Sequence, residues 1–183
     1  METLDYQVIE EVDGLYRVIA FRVLRRTPGV FFELVPVAAF PRIDAVDRVI
    51  HKGGAVSPGP VGDVARPWYM HTHQDDNLVV LHGTRHVDIY TPQHGVVERF
   101  TATPHRILKG NRLLYDGAAM LVWPRGVFHR VESDAQTGSA SLNLAVHYDG
   151  FDIRTNFSIY ALDTATGAYH VLREGHLDQP GSA

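Results

Sequence analysis

The chain contains no cysteine, and that absence removes disulfides, thiolate metal sites and cysteine nucleophiles together. It also leaves the redox compartment open. Lysine is nearly missing: 15 of the 17 basic residues are arginine, scattered along the chain, against 21 acidic residues and a formal charge of −4. Without a dense basic stripe no nucleic-acid partner is expected. No apolar run approaches the roughly 18 residues of a membrane span, since Leu78-Val79-Val80-Leu81 stops at His82, and no membrane partner is expected either. The first residues, Met1-Glu2-Thr3-Leu4-Asp5, are acidic and lack a basic-then-apolar leader, which reads as cytoplasmic. Gly-x-Gly-x-x-Gly turns, Walker loops and serine nucleophile elbows are absent too.

What is there has ordinary globular composition, 45% hydrophobic and 21% charged, in 183 residues that read as one domain over 1–183. Segments 16–24, 30–37, 77–81, 85–90, 96–101, 120–123, 141–147 and 152–162 are short, β-branched or aromatic, and read as strands. Turn residues separate them, among them Pro28-Gly29, Gly53-Gly54, His82-Gly83, Lys109-Gly110-Asn111 and Asp149-Gly150. Only 43–51 has helical spacing. Many short strands with few helices predict an all-β sandwich, jelly roll or barrel. The stretch 53–67 reads as a long loop inside the domain. The polar tail 173–183 is either loose or docked on a partner subunit.

Eleven histidines are the unusual figure, and their placement matters more than their number. His71-Thr72-His73 follows the apolar Trp68-Tyr69-Met70; in a strand, residues i and i+2 share a face, so both imidazoles would project together. Asp75-Asp76 places carboxylates just ahead of the apolar run to Gly83. Far downstream, Pro124 and Gly126 make a rigid turn that can send the chain back into a strand with His129 aimed inward. Three imidazoles and a carboxylate suit one divalent ion, Fe, Mn, Ni, Cu or Zn. Other candidates are the rim histidines His82 and His86, the strand tyrosines Tyr90, Tyr115, Tyr148 and Tyr160 as proton donors, Arg125 as an anion contact, and Asn143 with His147 on one face of the strand after His129.

In these residues the sequence resembles the cupin superfamily. The first cupin motif runs Gly, five residues, His-x-His, three or four residues, Glu, six residues, Gly; the second runs Gly, five residues, Pro-x-Gly, two residues, His, three residues, Asn. His71-x-His73 matches the centre of the first, and Pro124-x-Gly126-x-x-His129 the centre of the second. The resemblance covers roughly 67–147. Ala65, Ala118 and Ser133 stand where the motifs have Gly, Gly and Asn. The glutamate position, counted back from Gly83, holds Asp76, either a metal ligand, a base, or part of a solvated turn with Asp75; without it the site is three histidines and water.

The resemblance implies an RmlC-like double-stranded β-helix barrel, its core near 60–165, with extra N-terminal strands. It also implies a homodimer, for which Val30-Phe31-Phe32 is a candidate contact. It does not fix one chemistry. The leading expectation is a metal-dependent enzyme on a small molecule, an oxygenase, isomerase or lyase, with His71, His73 and His129 as ligands, Asp76 as fourth ligand or base, and Arg125 steering an anion. The alternative is a sugar-nucleotide epimerase or isomerase like the deoxysugar-modifying cupins, which use histidine as base and tyrosine as acid without metal. Asn77 to Gly83 followed by Val87-Asp88-Ile89-Tyr90 has some of their look. A third reading is a non-catalytic pocket that binds a small ligand.

Overall fold

The computed structural model describes residues 6–180; the acidic start and the last three residues of the polar tail lie outside the described residues. In chain order the strands are β1 (Gln7–Val12), β2 (Tyr16–Ala20), β3 (Arg22–Thr27), β4 (Val30–Leu34), β5 (Ala45–His51), β6 (Val56–Ser57), β7 (Trp68–Met70), β8 (Gln74–Gly83) and β9 (Arg85–Tyr90). They continue as β10 (Glu98–Thr103), β11 (Arg106–Lys109), β12 (Arg112–Tyr115), β13 (Ala119–Trp123), β14 (Phe128–Ser133), β15 (Ser139–His147), β16 (Ile159–Leu162) and β17 (Tyr169–Arg173). A single α-helical turn, α1 (Ile153–Asn156), precedes β16. Among the described residues no helix is long and apolar enough to cross a membrane.

Two antiparallel sheets face each other. One runs β1-β2-β13-β8-β15-β5; the other runs β12-β11-β10-β9-β14-β7-β16-β17, with β6 paired to β14. The turns β8–β9, β13–β14 and β14–β15 each carry the chain from one sheet to the other, the crossing pattern of a jelly roll. The expected all-β barrel architecture is thus what the chain adopts. Between the sheets, Leu78, Val80, Leu121 and Trp123 meet Val87, Ile89, Phe100 and Val131. The other face of the first sheet buries Val79, Met120, Val122 and Leu144 under Ala39 and Phe40. That second layer explains why β8 reads as a continuous apolar run: Leu78, Val79 and Val80 are covered whichever face they take, and only Leu81 of the run is exposed.

Three local expectations change. Segment 43–51 is strand β5: Ala45, Asp47, Val49 and His51 are half-buried while Val46, Arg48 and Ile50 are exposed, so a period of two overrides the helical spacing. Segment 152–162 breaks into α1 and β16, because the Asp152 side chain accepts the Arg154 backbone N–H at 2.8 Å and caps a helical turn. The tail packs on its own chain: Gln179 Nε2 donates to the Ile153 carbonyl and the Gly175 N–H donates to Ser158 Oγ.

Backbone packs tightly where the ends of β8, β15 and β5 meet. A Cβ on Gly83 would stand 2.0 Å from the Gly138 carbonyl oxygen, and one on Gly138 would stand 2.3 Å from that of His51. Both glycines also have positive φ, +70° and +64°. Gly95 has a similar φ of +68° but opens on empty space. Gly95→Ala should therefore cost about 1–2 kcal/mol for the left-handed backbone alone, and Gly83→Ala should cost clearly more in urea unfolding. Equal costs would show that the close approach does not constrain the fold.

Candidate active site

The bend after β7 and the strands β8 and β14 bring their polar residues together at the middle of the barrel. His129 follows the Pro124–Gly126 turn, where Gly126 adopts φ +80°, and re-enters the sheet opposite Ile89 and Tyr69. The same turn fixes His71, since the Gly126 N–H donates to the His71 carbonyl at 2.8 Å. Asp76 sits on β8 opposite Trp123. The two motif centres therefore meet through backbone as well as side chains.

His71, Asp76 and His129 are all buried, and their donor atoms lie within 4.8 Å of one another. His71 Nε2 is 3.3 Å and His129 Nε2 3.8 Å from Asp76 Oδ2. Both rings are oriented from behind. His71 Nδ1 lies 2.6 Å from the Asn156 carbonyl and His129 Nδ1 lies 3.2 Å from the Val127 carbonyl, so each Nδ1 carries a hydrogen and each Nε2 presents its lone pair to the carboxylate. Three acceptors facing one another make a site that attracts a proton or a cation. The other carboxylate oxygen is anchored: Asp76 Oδ1 accepts Gln74 Nε2 at 2.8 Å and Asn143 Nδ2 at 2.6 Å. Asn156 Nδ2 donates to Gln74 Oε1 at 3.0 Å, closing a circuit from His71 through Asn156 and Gln74 back to Asp76.

The cluster lines a cavity of about 320 Å³ whose walls include Leu78, Val131, Trp123 and Phe157. Its half-buried residues, Asp47, Val49 and His51 on β5 and Ser57, Tyr69 and Phe157 opposite, put the mouth between the edge of β5 and the β6–β7–α1 side. Burial raises the Tyr69 phenol above its usual range, with the neighbouring Ser57 hydroxyl pulling the other way. Burial, reinforced by the neighbouring His71, pushes His129 down to about 4 although Asp76 opposes it. Burial and then the Arg85 charge push His51 down to about 4.

Several sequence candidates fall elsewhere. His73 is not part of the cluster: β7 ends at Met70 and β8 begins at Gln74, so residues 71–73 form a bend, strand alternation fails, and the His73 ring rests on Gly150. Gln74 takes the inward place instead. The four-donor metal set is thus reduced to three. Arg125 is exposed, stacked 4.0 Å over Tyr148, and its backbone N–H serves Asp75. Asp75 also accepts the Tyr148 hydroxyl at 2.7 Å, so it braces the turn while Asp76 faces inward. Asn143 lines the cavity, but His147 stacks on Phe151. Tyr90, Tyr115, Tyr148 and Tyr160 line none of it, and His82 and His86 are exposed. Sequence reasoning passed over Tyr69, His51, Arg85, Gln74 and Asn156. The alternation along β5 carried the signal for His51; Asn156 had none, because the segment holding it looks like a strand.

The neutral state of His129 has a pH consequence. Its unfolded value is near 6.5, so between about 6.5 and 4 the unfolded chain binds a proton that the folded one refuses. The stability it supports is complete above 6.5 and is lost as pH falls toward 4. Nitrogen-detected NMR should find His129 still neutral, with Nδ1 protonated, at pH 5.5. Titration near 6.5 would contradict the buried geometry.

No family model matches the chain, and no curated protein matches it in sequence. Solved structures do match in fold. A dTDP sugar isomerase from Desulfovibrio desulfuricans superposes with a TM-score of 0.55 at 16% identity, covering 79% of this chain and 83% of the other. A sugar 3,4-ketoisomerase from Thermoanaerobacterium thermosaccharolyticum, in complex with TDP, gives 0.51 at 15% identity over 75% and 82%. A variant of that ketoisomerase is in complex with TDP-4-keto-6-deoxyglucose. The dTDP-4-dehydrorhamnose 3,5-epimerase of Sulfolobus tokodaii gives 0.51 at 15% over 80% and 77%. These neighbours overturn the leading expectation of a metal-dependent oxygenase, isomerase or lyase: they are the sugar-nucleotide isomerases and epimerases of the alternative reading. At these identities what is shared is the fold: the chain adopts the jelly-roll barrel of these sugar-nucleotide enzymes, the architecture that the cupin resemblance implied.

Proposed function

We propose that the protein is an isomerase or epimerase of a keto sugar carried on a nucleotide, working by proton transfer within the barrel. The observation that carries this reading is the buried cluster in which His71 and His129 both turn Nε2 toward Asp76 Oδ2. The pair His71–Asp76 removes the proton from the carbon next to the sugar's carbonyl. The electron pair left behind moves into the carbonyl, giving an enolate, and the carboxylate stabilises the imidazolium that forms. Tyr69, kept protonated by burial, is placed beside both imidazole rings, with centroid separations of 6.3 Å and 6.0 Å, to protonate the enolate oxygen or the neighbouring carbon. Apolar walls from Leu78, Val131 and Phe157 shield the enolate from water. In isomerisation the former carbonyl carbon and its oxygen are protonated while the hydroxyl on the deprotonated carbon gives up its proton and becomes the new ketone; in epimerisation the proton returns to the same carbon from the opposite face.

Assayed with TDP-4-keto-6-deoxyglucose, Asp76→Asn and His71→Gln should each lower kcat by about 10²–10⁴-fold, the usual worth of general acid–base catalysis, with KM changed little. Tyr69→Phe should lower it less and flatten the alkaline limb of the pH profile. Prolonged chelation should leave turnover unchanged. Activity that disappears on chelation and returns with one divalent ion would overturn the metal-free reading and put a metal at the same three donors.

The reading includes a homodimer. The β3–β4 hairpin stands apart from both sheets and exposes Val23, Leu24, Val30, Phe31 and Phe32, an apolar surface that a second copy would cover. Sedimentation at micromolar concentration should give a dimer that Phe31→Ser with Phe32→Ser converts to monomer. A wild-type monomer would contradict it.

A further inference from the structure

The catalytic reading leaves one pocket residue without a task. Arg85, at the start of β9, is 3% exposed and crosses the barrel from one sheet to the other. Its Nε donates to Ser139 Oγ at 3.0 Å and its Nη2 to the Val49 carbonyl at 3.2 Å. An arginine has five N–H donors, so three remain without a protein acceptor among the described residues. Among the described residues no carboxylate lies within ion-pair distance of it, unlike the half-buried Arg130 and Lys109, which are held by Asp88 at 2.9 Å and Glu98 at 2.8 Å. Buried charges are normally paired, because an uncompensated one costs several kcal/mol. The burial here is strong enough to pull the guanidinium down to about 10, where it is still a cation at neutral pH.

Two further polar groups in the same cavity are unsatisfied. Ser141 Oγ and Trp123 Nε1 are buried with no hydrogen-bond partner, and both residues line it. Buried polar groups without partners in a native protein call for an explanation, and a ligand is one. Ser139, Ser141 and Asn143 alternate along one face of β15, opposite His51, Val49 and Asp47 of β5. They form a polar ladder about 13 Å long at the usual strand rise, with Arg85 bound to its first rung and Asp76 to its last. A chain of hydrogen bonds from Arg85 Nε through Ser139 Oγ and Ser133 Oγ to His51 Nδ1, at 3.0, 2.7 and 3.0 Å, fixes guanidinium and imidazole relative to each other.

We infer that Arg85 is the anion anchor of this pocket, taking the diphosphate oxygens of the substrate on its free N–H groups while the sugar reaches His71 and Asp76. The choice of diphosphate rests on the sugar-nucleotide reading; the anion site itself does not. A guanidinium fork suits two phosphate oxygens at once, and the bound anion supplies the counter-charge that the protein withholds. Ser141 Oγ, between the two ends of the ladder, donates to the part of the ligand that spans them. The deposit of an unpaired charge in the empty protein is then the condition for binding, and it sets Arg85 against stability.

Titration calorimetry of wild type, Arg85→Met and Arg85→Lys with inorganic pyrophosphate and with TDP tests this, alongside thermal melts without ligand. Both anions should bind wild type, at least tenfold more weakly to Arg85→Met and several-fold more weakly to Arg85→Lys, which keeps the charge but not the fork. The ligand-free melt of Arg85→Met should be unchanged or higher, because an uncompensated charge has gone. An Arg85 that merely ties β15 to β5 predicts the reverse: a lower melt and unchanged anion affinity. Should Arg85→Met fail to fold, Arg85→Lys with wild-type affinity for both anions overturns the anchor. Wild type that binds neither anion overturns it also. Pyrophosphate bound through Arg85, with no binding of TDP and no turnover of TDP-4-keto-6-deoxyglucose, would keep the anchor and discard the sugar-nucleotide reading.

Discussion

A carboxylate with almost no access to water is the constraint around which the middle of this barrel is built. Asp76 is 3% exposed, and in an apolar interior its charge is tolerated only if every lone pair has a partner. One oxygen is settled by the amides of Gln74 and Asn143; the other faces two imidazoles. Each of those partners needs its own support. Gln74 is held by Asn156, His71 by the Asn156 carbonyl, and Asn143 in turn accepts the Asn77 N–H at 2.8 Å. The helical turn α1, capped by Asp152, exists in the middle of an otherwise strand-built segment where Asn156 must reach inward. Polar side chains from β8, β14, β15 and α1 thus depend on one negative charge, which ties local structure directly to chemistry.

The rest of the barrel keeps that charge dry. Leu78, Val80, Val87, Ile89 and Val131 pack around and beyond it, and a covering layer from Ala39 and Phe40 stiffens the far side of the first sheet. In such surroundings small changes in proton position cost much more than they would in water. A fixed backbone carbonyl behind each ring accepts its Nδ1–H and so decides that Nε2 faces the cavity, and the cluster is organised before anything binds. The long axis of the cavity then separates two jobs. Proton transfer belongs to the centre, where burial keeps His129 neutral; charge recognition belongs to the Ser139 end of the polar ladder, beside the edge of β5, where Arg85 stands without a counter-ion.

Much of this was legible in the residues. The strand-length apolar segments gave the sheet class, and Pro124-x-Gly126-x-x-His129 placed the turn and its inward histidine where the structure has them. Asp76 was legible as well, because the run to Gly83 sets its phase even though glutamate is the family's residue. His73 misled for a definite reason: the alternation that would pair it with His71 requires a strand, and the chain bends there between β7 and β8. Arg125 misled because proximity to a motif in sequence says nothing about direction; its side chain lies outward on Tyr148. Helical spacing over 43–51 hid a half-buried edge strand, and with it His51 and Asp47. Arg85 could not have been singled out, since an arginine at the start of a strand is ordinary until the opposite sheet shows that it points inward with no acid to meet it.

The central claim is that the buried cluster moves a proton at the carbon next to a sugar carbonyl. Proton NMR of TDP-4-keto-6-deoxyglucose in D₂O, with chelator-treated wild-type protein, reads that event whether or not the product accumulates. The account predicts wash-out of the signal from a carbon beside the ketone at a rate far above the uncatalysed one, abolished in Asp76→Asn. Retention of that hydrogen, with the nucleotide sugar bound at the site, would contradict it.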